Sequence, residues 1–208
     1  MSEIYRAGSS RDVGRNAVYG GVFIDAVEDS LSRVQKILAG ISGGWQQAVG
    51  SAISRAANAG KTEVKRAVTE EYTISQSTFL QNTKNINHYQ RDSGGNVSVV
   101  FGYAGYVLPL LKFNTRYGND GKIRTQVKRS SAVEALEHAF AAHMGSHTGI
   151  YERIGPTRFP VKELFGPATP QMIYSNEAVL DKAEERMVAE YDKRIEHEIN
   201  RLLNGWGG

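Results

Sequence analysis

In "WQQAVGSAISRAANAGKTEVKRAVTEEY", Trp45, Val49, Ile53, Ala56, Gly60, Val64 and Ala67 recur at spacings of four, four, three, four, four and three. That is the period of one helical stripe, about seven turns long. The stripe is small-sided: Ala52, Ala56, Ala57, Ala59 and Gly60 leave room for another backbone to come close. Gly60 should cost roughly 1 kcal/mol against alanine unless such an approach requires it. Upstream, "FIDAVEDSLSRVQKILAGI" places Ala26, Leu31, Val34, Ile37, Leu38 and Ile41 near one face, and the Gly43-Gly44 pair ends the pattern. Downstream, "TISQSTFLQNTKN" predicts a short helix capped by Ser75.

From Ile86 to Tyr151 the pattern turns to strands. "NVSVVFGYAG" and "KIRTQVKRS" mix β-branched with alternating polar residues, and Gly94-Gly95 and "YGNDGK" sit where hairpins would reverse. "AFAAHMGSHTGIYERIG" reads as two strands joined near Gly145, with Phe140, Ala142 and Met144 on one face. A helix competes over "SAVEALEHAFAAHM", where Val133, Leu136, Ala139 and Phe140 also fit a helical stripe. The last element is a long helix whose stripe is Val179, Ala183, Met187, Tyr191, Ile195, Ile199 and Leu202, with Glu190 and Arg194 paired at i,i+4 on its polar side and Gly205 at its end. The expected fold class is α+β: a small antiparallel sheet with the long Trp45 to Glu71 helix and the C-terminal helix packed against it. An N-terminal arm over 1–21 and a single domain over 22–208 are expected.

Composition narrows the function classes. The 208 residues are 40% apolar and 23% charged, ordinary for a globular protein, and the net charge of +3 is a weak nucleic-acid signal. With no cysteine, disulfides, thiol catalysis and cysteine-ligated zinc are excluded, and a reducing compartment or a disulfide-free assembly is implied. No signal-like apolar segment and no run near the roughly 18 residues of a membrane span occur, so a protein made and kept in a cytoplasm is expected, with no membrane partner.

Catalytic patterns are not found. His143 and His147 would share a face on a helix, as metal ligands do, with His138 nearby; the glycine at 145 and the presence of only Glu134 and Glu137 as local carboxylates argue for ordinary histidines. There is no G-x-S-x-G, no G-x-x-x-x-G-K-[ST] and no G-x-G-x-x-G. The Glu70-Glu71 and Glu184-Glu185 runs point apart on a helix and read as solvated faces. No enzyme, cofactor or metal is expected.

"RIGPTRFPVKELFGPATPQMI" (153–173) holds four of the chain's five prolines, with Arg153, Arg158 and Lys162 among apolar Phe159, Val161, Leu164 and Phe165. Each X-Pro bond holds the preceding residue extended, so the segment reads as a stiff, irregular strip laid along a protein surface, its own or a neighbour's. Arg158, Phe159, Pro160, Lys162, Leu164, Phe165, Gly166 and Pro167 are the expected protein-interface residues, with Phe159, Leu164 and Phe165 as buried anchors.

"GIYERIGPTRFPVKELFGPATPQM", followed by a long helix ending "RIEHEINRLLNG", resembles the C-terminal half of the minor tail protein Z family of tailed bacteriophages and prophages, also called tail completion proteins. The residues carrying the likeness are Arg158, Pro160, Val161, Leu164, Phe165, Gly166, Pro167, Ala168, Pro170, Gln171 and Met172; the Ala- and Arg-rich helix followed by Tyr-Thr-Ile resembles the family's N-terminal pattern. Pro156 and the middle segment with Tyr103, Tyr106 and "VLPLLKF" depart from it. The resemblance implies a non-enzymatic virion protein near the head-proximal end of a long tail. It implies a ring of six copies, or twelve in a connector, with tail terminator and head-tail connector proteins as partners and genomic DNA in the channel. The alternative is a DNA-contacting architectural protein whose Arg55, Lys61, Lys65 and Arg66 face phosphates.

Overall fold

The computed structural model describes residues 5–7, 21–24, 28–91 and 97–205, with side chains over 32–85 and 102–205. The fold is α+β, with helices beside antiparallel sheets. In chain order the elements are β1 (Tyr5–Ala7), β2 (Gly21–Ile24), α1 (Glu28–Ile37), α2 (Gly44–Glu71), α3 (Gln76–Asn82), β3 (Lys84–Arg91), β4 (Val97–Ala104), β5 (Val107–Pro109), a 3₁₀ turn (Leu110–Lys112), β6 (Asn114–Tyr117), β7 (Ile123–Gln126), β8 (Glu134–Leu136), β9 (Ala139–Met144), β10 (His147–Arg153), β11 (Val161–Ala168), α4 (Thr169–Tyr174) and α5 (Glu177–Leu203). Contacts divide the chain into two compact units. One comprises Met1–Tyr19, Lys65–Lys84 and Tyr103–Asn176, and the other Gly20–Val64, Asn85–Gly102 and Glu177–Gly208.

The first unit is built on β11. β10 and then β5 pair along one edge of this strand and β1 along the other, while β9 continues the sheet beyond β10. From Glu163 to Ala168 every residue of β11 is buried, the continuous pattern of a strand covered on both faces. The expected irregular strip is therefore a central strand followed by a helix. Its prolines sit where no ladder bond is lost: Pro160 precedes β11, Pro167 lies at the register shift between Gly166 and Ala168, and Pro170 is in the first turn of α4. Of the expected 1–21 arm, Tyr5–Ala7 is a strand of this sheet and Gly21 begins β2; the rest lies outside the described residues.

β6, β7 and β8 form a separate three-stranded sheet, and the "YGNDGK" turn closes as expected with Gly118 N donating to Lys122 O at 2.8 Å. In β7, Ile123 and Thr125 are buried and alternate with half-buried Arg124 and Gln126. Between 131 and 144 the strand reading holds and the competing helix does not, since β8 and β9 occupy the segment and Gly145 turns β9 into β10 with φ +64°. Ser75 caps α3, its hydroxyl accepting from Thr78 N at 3.1 Å.

In the second unit, α5 buries its whole expected stripe from Val179 to Leu202. α2 buries Val49, Ile53, Ala56 and Val64, together with Ala48, Ala52 and Ala57. A Cβ on Gly60 would collide with Met187 Cγ and Sδ, so the close approach that the glycine stripe predicts is made by α5. The first helix begins later than its pattern suggests: Phe23 and Ile24 pair with Val100 and Val99 in the β2-β4-β3 sheet. Val34 and Leu38 are buried as expected, whereas Ile37 is exposed; Ala26 lies outside the described residues, as does the Gly94-Gly95 turn.

Candidate interaction surface

The β10–β11 hairpin carries the outlying part of the proline segment on the loop 154–160. Ile154 N donates to Pro160 O at 3.1 Å and closes the base, and Thr157 Oγ1 donates to Phe159 O at 2.5 Å within it. The Phe159–Pro160 bond is cis. With its backbone tied in this way the loop presents two large apolar side chains to solvent, Ile154 at 60% and Phe159 at 59% exposure. Arg158 lies over the Phe159 ring at 5.6 Å, and Arg153 over the Phe140 ring at 5.4 Å. Phe140, Arg153, His138, Gly155 and Pro156 line a cavity of about 590 Å³ at the foot of the loop. Neighbouring carboxylates are engaged elsewhere, Glu137 with Lys122 and Glu152 with Lys162 at 3.6 Å. The loop is thus apolar and positively charged, a combination suited to an acidic protein surface with an apolar centre.

The expected interface residues separate into two groups. Arg158, Phe159 and Pro160 are exposed on the loop, and Lys162 is half-buried at the start of β11. Leu164 and Phe165 are each 1% exposed, and Gly166 lies against the Phe113 ring with Pro167 buried beside it. Leu164 and Phe165 are therefore corrected from anchors for a partner to core residues of this chain, because β11 is an interior strand whose two faces are both covered. Ile154, missed as an anchor, takes their place at the surface. Its apolar character was readable inside the segment, but its exposure is a property of the hairpin.

The four basic residues of α2 do not form one face. At 100° per residue Arg55 and Arg66 lie within about 20° of each other, Lys65 is about 80–100° and Lys61 about 120–140° away from them, and Arg66 pairs with Glu70 at 3.6 Å. Arg55 and Arg66 are exposed; Lys61 and Lys65 are half-buried, and burial holds the Lys61 ammonium below its ordinary value.

The histidines do not converge. His143 Nδ1 lies 3.1 Å from Thr148 Oγ1 across the β9–β10 hairpin, and His138 faces the cavity. His147 Nε2 is 3.0 and 3.1 Å from the two oxygens of the buried Glu163, with Tyr151 Oη at 3.5 Å from the same nitrogen. Burial, and then the charge of Glu163, raise the Tyr151 hydroxyl above its ordinary value. Among the described residues no group of three or more histidines or carboxylates is placed to hold a metal ion, and no helix is long and apolar enough to cross a membrane.

No protein-family model, no curated protein and no solved structure matches the chain.

Proposed function

We propose that this chain is a structural virion protein of a long-tailed bacteriophage, a tail completion or neck component that helps finish the tail and join it to the head. The observation that carries the reading is the segment 158–172, whose Arg-x-Pro and Phe-Gly-Pro-Ala-x-Pro-Gln-Met pattern resembles that of tail completion proteins. In this chain the pattern runs from an exposed loop through an interior strand into α4. Its prolines and glycine serve folding, and the loop in front of them supplies surface for assembly. Six copies in a ring, or twelve, with tail terminator and connector proteins as neighbours and genomic DNA passing through, is the assembly proposed. The protein is then found in the virion, and in the host cytoplasm during assembly.

Removing the gene from a phage or prophage that encodes it is expected to leave filled heads and uncompleted tails unjoined, and labelled protein should map by electron microscopy to the head-proximal tail end. Joined, infectious particles without the protein, or a label elsewhere, would overturn the reading.

A further inference from the structure

We propose that copies of this chain join head to tail through a contact between the β10–β11 loop of one copy and the outer face of α5 of the next. The inference rests on the ring-forming reading above and names the surfaces that would build the ring. On α5, Asp181, Glu184, Glu185 and Asp192 are exposed and share one side of the helix around Val188, itself 49% exposed. These residues line a surface groove of about 570 Å³. The arginines of the helix are committed elsewhere: Arg186 and Arg194 pair with Glu190 at 3.6 and 2.8 Å, and Arg201 with Glu198 at 2.9 Å. Lys182 and Lys193 lie about 100° or more round the helix from the centre of this side. The result is an acidic face with an apolar centre.

The loop has the opposite character. Arg153 and Arg158 flank Ile154 and Phe159, the segment 153–160 contains no acidic residue, and the nearest carboxylates pair with Lys122 and Lys162. Ile154 or Phe159 seated against Val188 would be ringed by the four carboxylates, with the two guanidiniums placed to meet them. Apolar burial at the centre and charge matching at the rim is the arrangement that holds and orients protein interfaces. Because the two patches are different and lie on the same chain, each copy offers one and accepts the other, so the contact propagates and closes into a ring when its rotation permits. A second copy is the occupant that the chain itself supplies.

The test uses the full chain in two variants, Arg153→Glu with Arg158→Glu, and Glu184→Lys with Glu185→Lys. Each alone should remain folded by circular dichroism and self-associate about tenfold or more weakly in sedimentation velocity, since like charges then face each other. Mixed, the two should assemble again, as each reversed patch meets the other. The chain has no cysteine, so Phe159→Cys with Val188→Cys should give disulfide-linked multimers on mild oxidation, and Phe159→Cys with Leu80→Cys should not. Oligomers that persist in both charge variants with no 159–188 crosslink would overturn this contact and leave the ring reading standing. A wild-type chain that stays monomeric at all concentrations would overturn both, and loss of duplex DNA binding in the arginine variant, without rescue on mixing, would assign the loop to a polyanion instead.

Discussion

Gly60 of α2 lies against Met187 of α5 so closely that a Cβ at position 60 would overlap Met187 Cγ and Sδ. Glycine in the interior of a long helix sacrifices about 1 kcal/mol of helix propensity; here that loss permits the approach of two helices. Gly60→Ala, stabilising in an unhindered helix, should instead destabilise by about 1–3 kcal/mol through overpacking. Combining it with Met187→Ala should cost less than the sum of the two single changes. Urea titrations of the four proteins check this; additive costs would mean that the two residues do not touch.

Leu164 and Phe165 should behave as core residues of the isolated chain. Truncating either to alanine is expected to cost about 2–5 kcal/mol, whereas Phe159→Ala on the exposed loop should stay within about 0.5 kcal/mol of wild type. Thermal unfolding of the purified protein distinguishes the two groups before any assembly assay. A large loss for Phe159→Ala would show that the loop closes the chain's own core.

Tyr103 N donates to Tyr174 Oη at 3.2 Å, and both phenols are held above their ordinary value, Tyr103 by burial and then by Tyr174, Tyr174 by burial against the opposing effect of that hydrogen bond. An acid whose folded-state value is raised favours folding while it is protonated in both states. Stability should therefore be intact below the ordinary tyrosine value of about 10 and fall as the pH rises above it. Tyr103→Phe should flatten that alkaline fall; an unchanged alkaline limb would remove the tyrosine pair as its cause.

Glu190 shows the opposite sign. The hydrogen bond from Arg194 Nε at 2.8 Å, helped by the charges of Arg194, Arg186 and Lys193 and opposed by burial, holds its carboxyl below the usual range. Its contribution is present above the ordinary glutamate value of about 4.3 and is lost as the pH falls through the lower folded-state value. Glu190→Gln should lower stability at neutral pH, with the two proteins converging in acid. Parallel curves down to low pH would show that the pair contributes nothing.

Glu198 is a buried carboxylate that accepts from Ser51 Oγ at 3.0 Å, linking α5 to α2. Ser51→Ala removes that donor and should cost about 1–3 kcal/mol, with Ser51→Thr retaining most of the stability. Equal losses for the two variants would indicate a packing effect instead.

Much of this architecture was determined by the sequence itself, because it rests on local periodicity. The stripes of α2 and α5, the Ser75 cap, the Gly145 reversal and the turn at 118–122 depend on side chains only a few residues apart, and the α+β class follows from them. The strand pairings had no such local mark. Phe23 and Ile24 fit the helical stripe that follows them until β4 is present as a hydrogen-bonding partner, and the segment 131–144 satisfies both periods until β7 and β10 pair with it. The candidate surface divides in the same way. Arg158 and Phe159 could be named from the proline segment, but whether Leu164 and Phe165 face a neighbour or their own core was decided when β1, β5 and β10 placed β11 inside the sheet and both of its faces were covered. Strand burial depends on partners more than a hundred residues away in the case of β1, and only the folded chain brings them together.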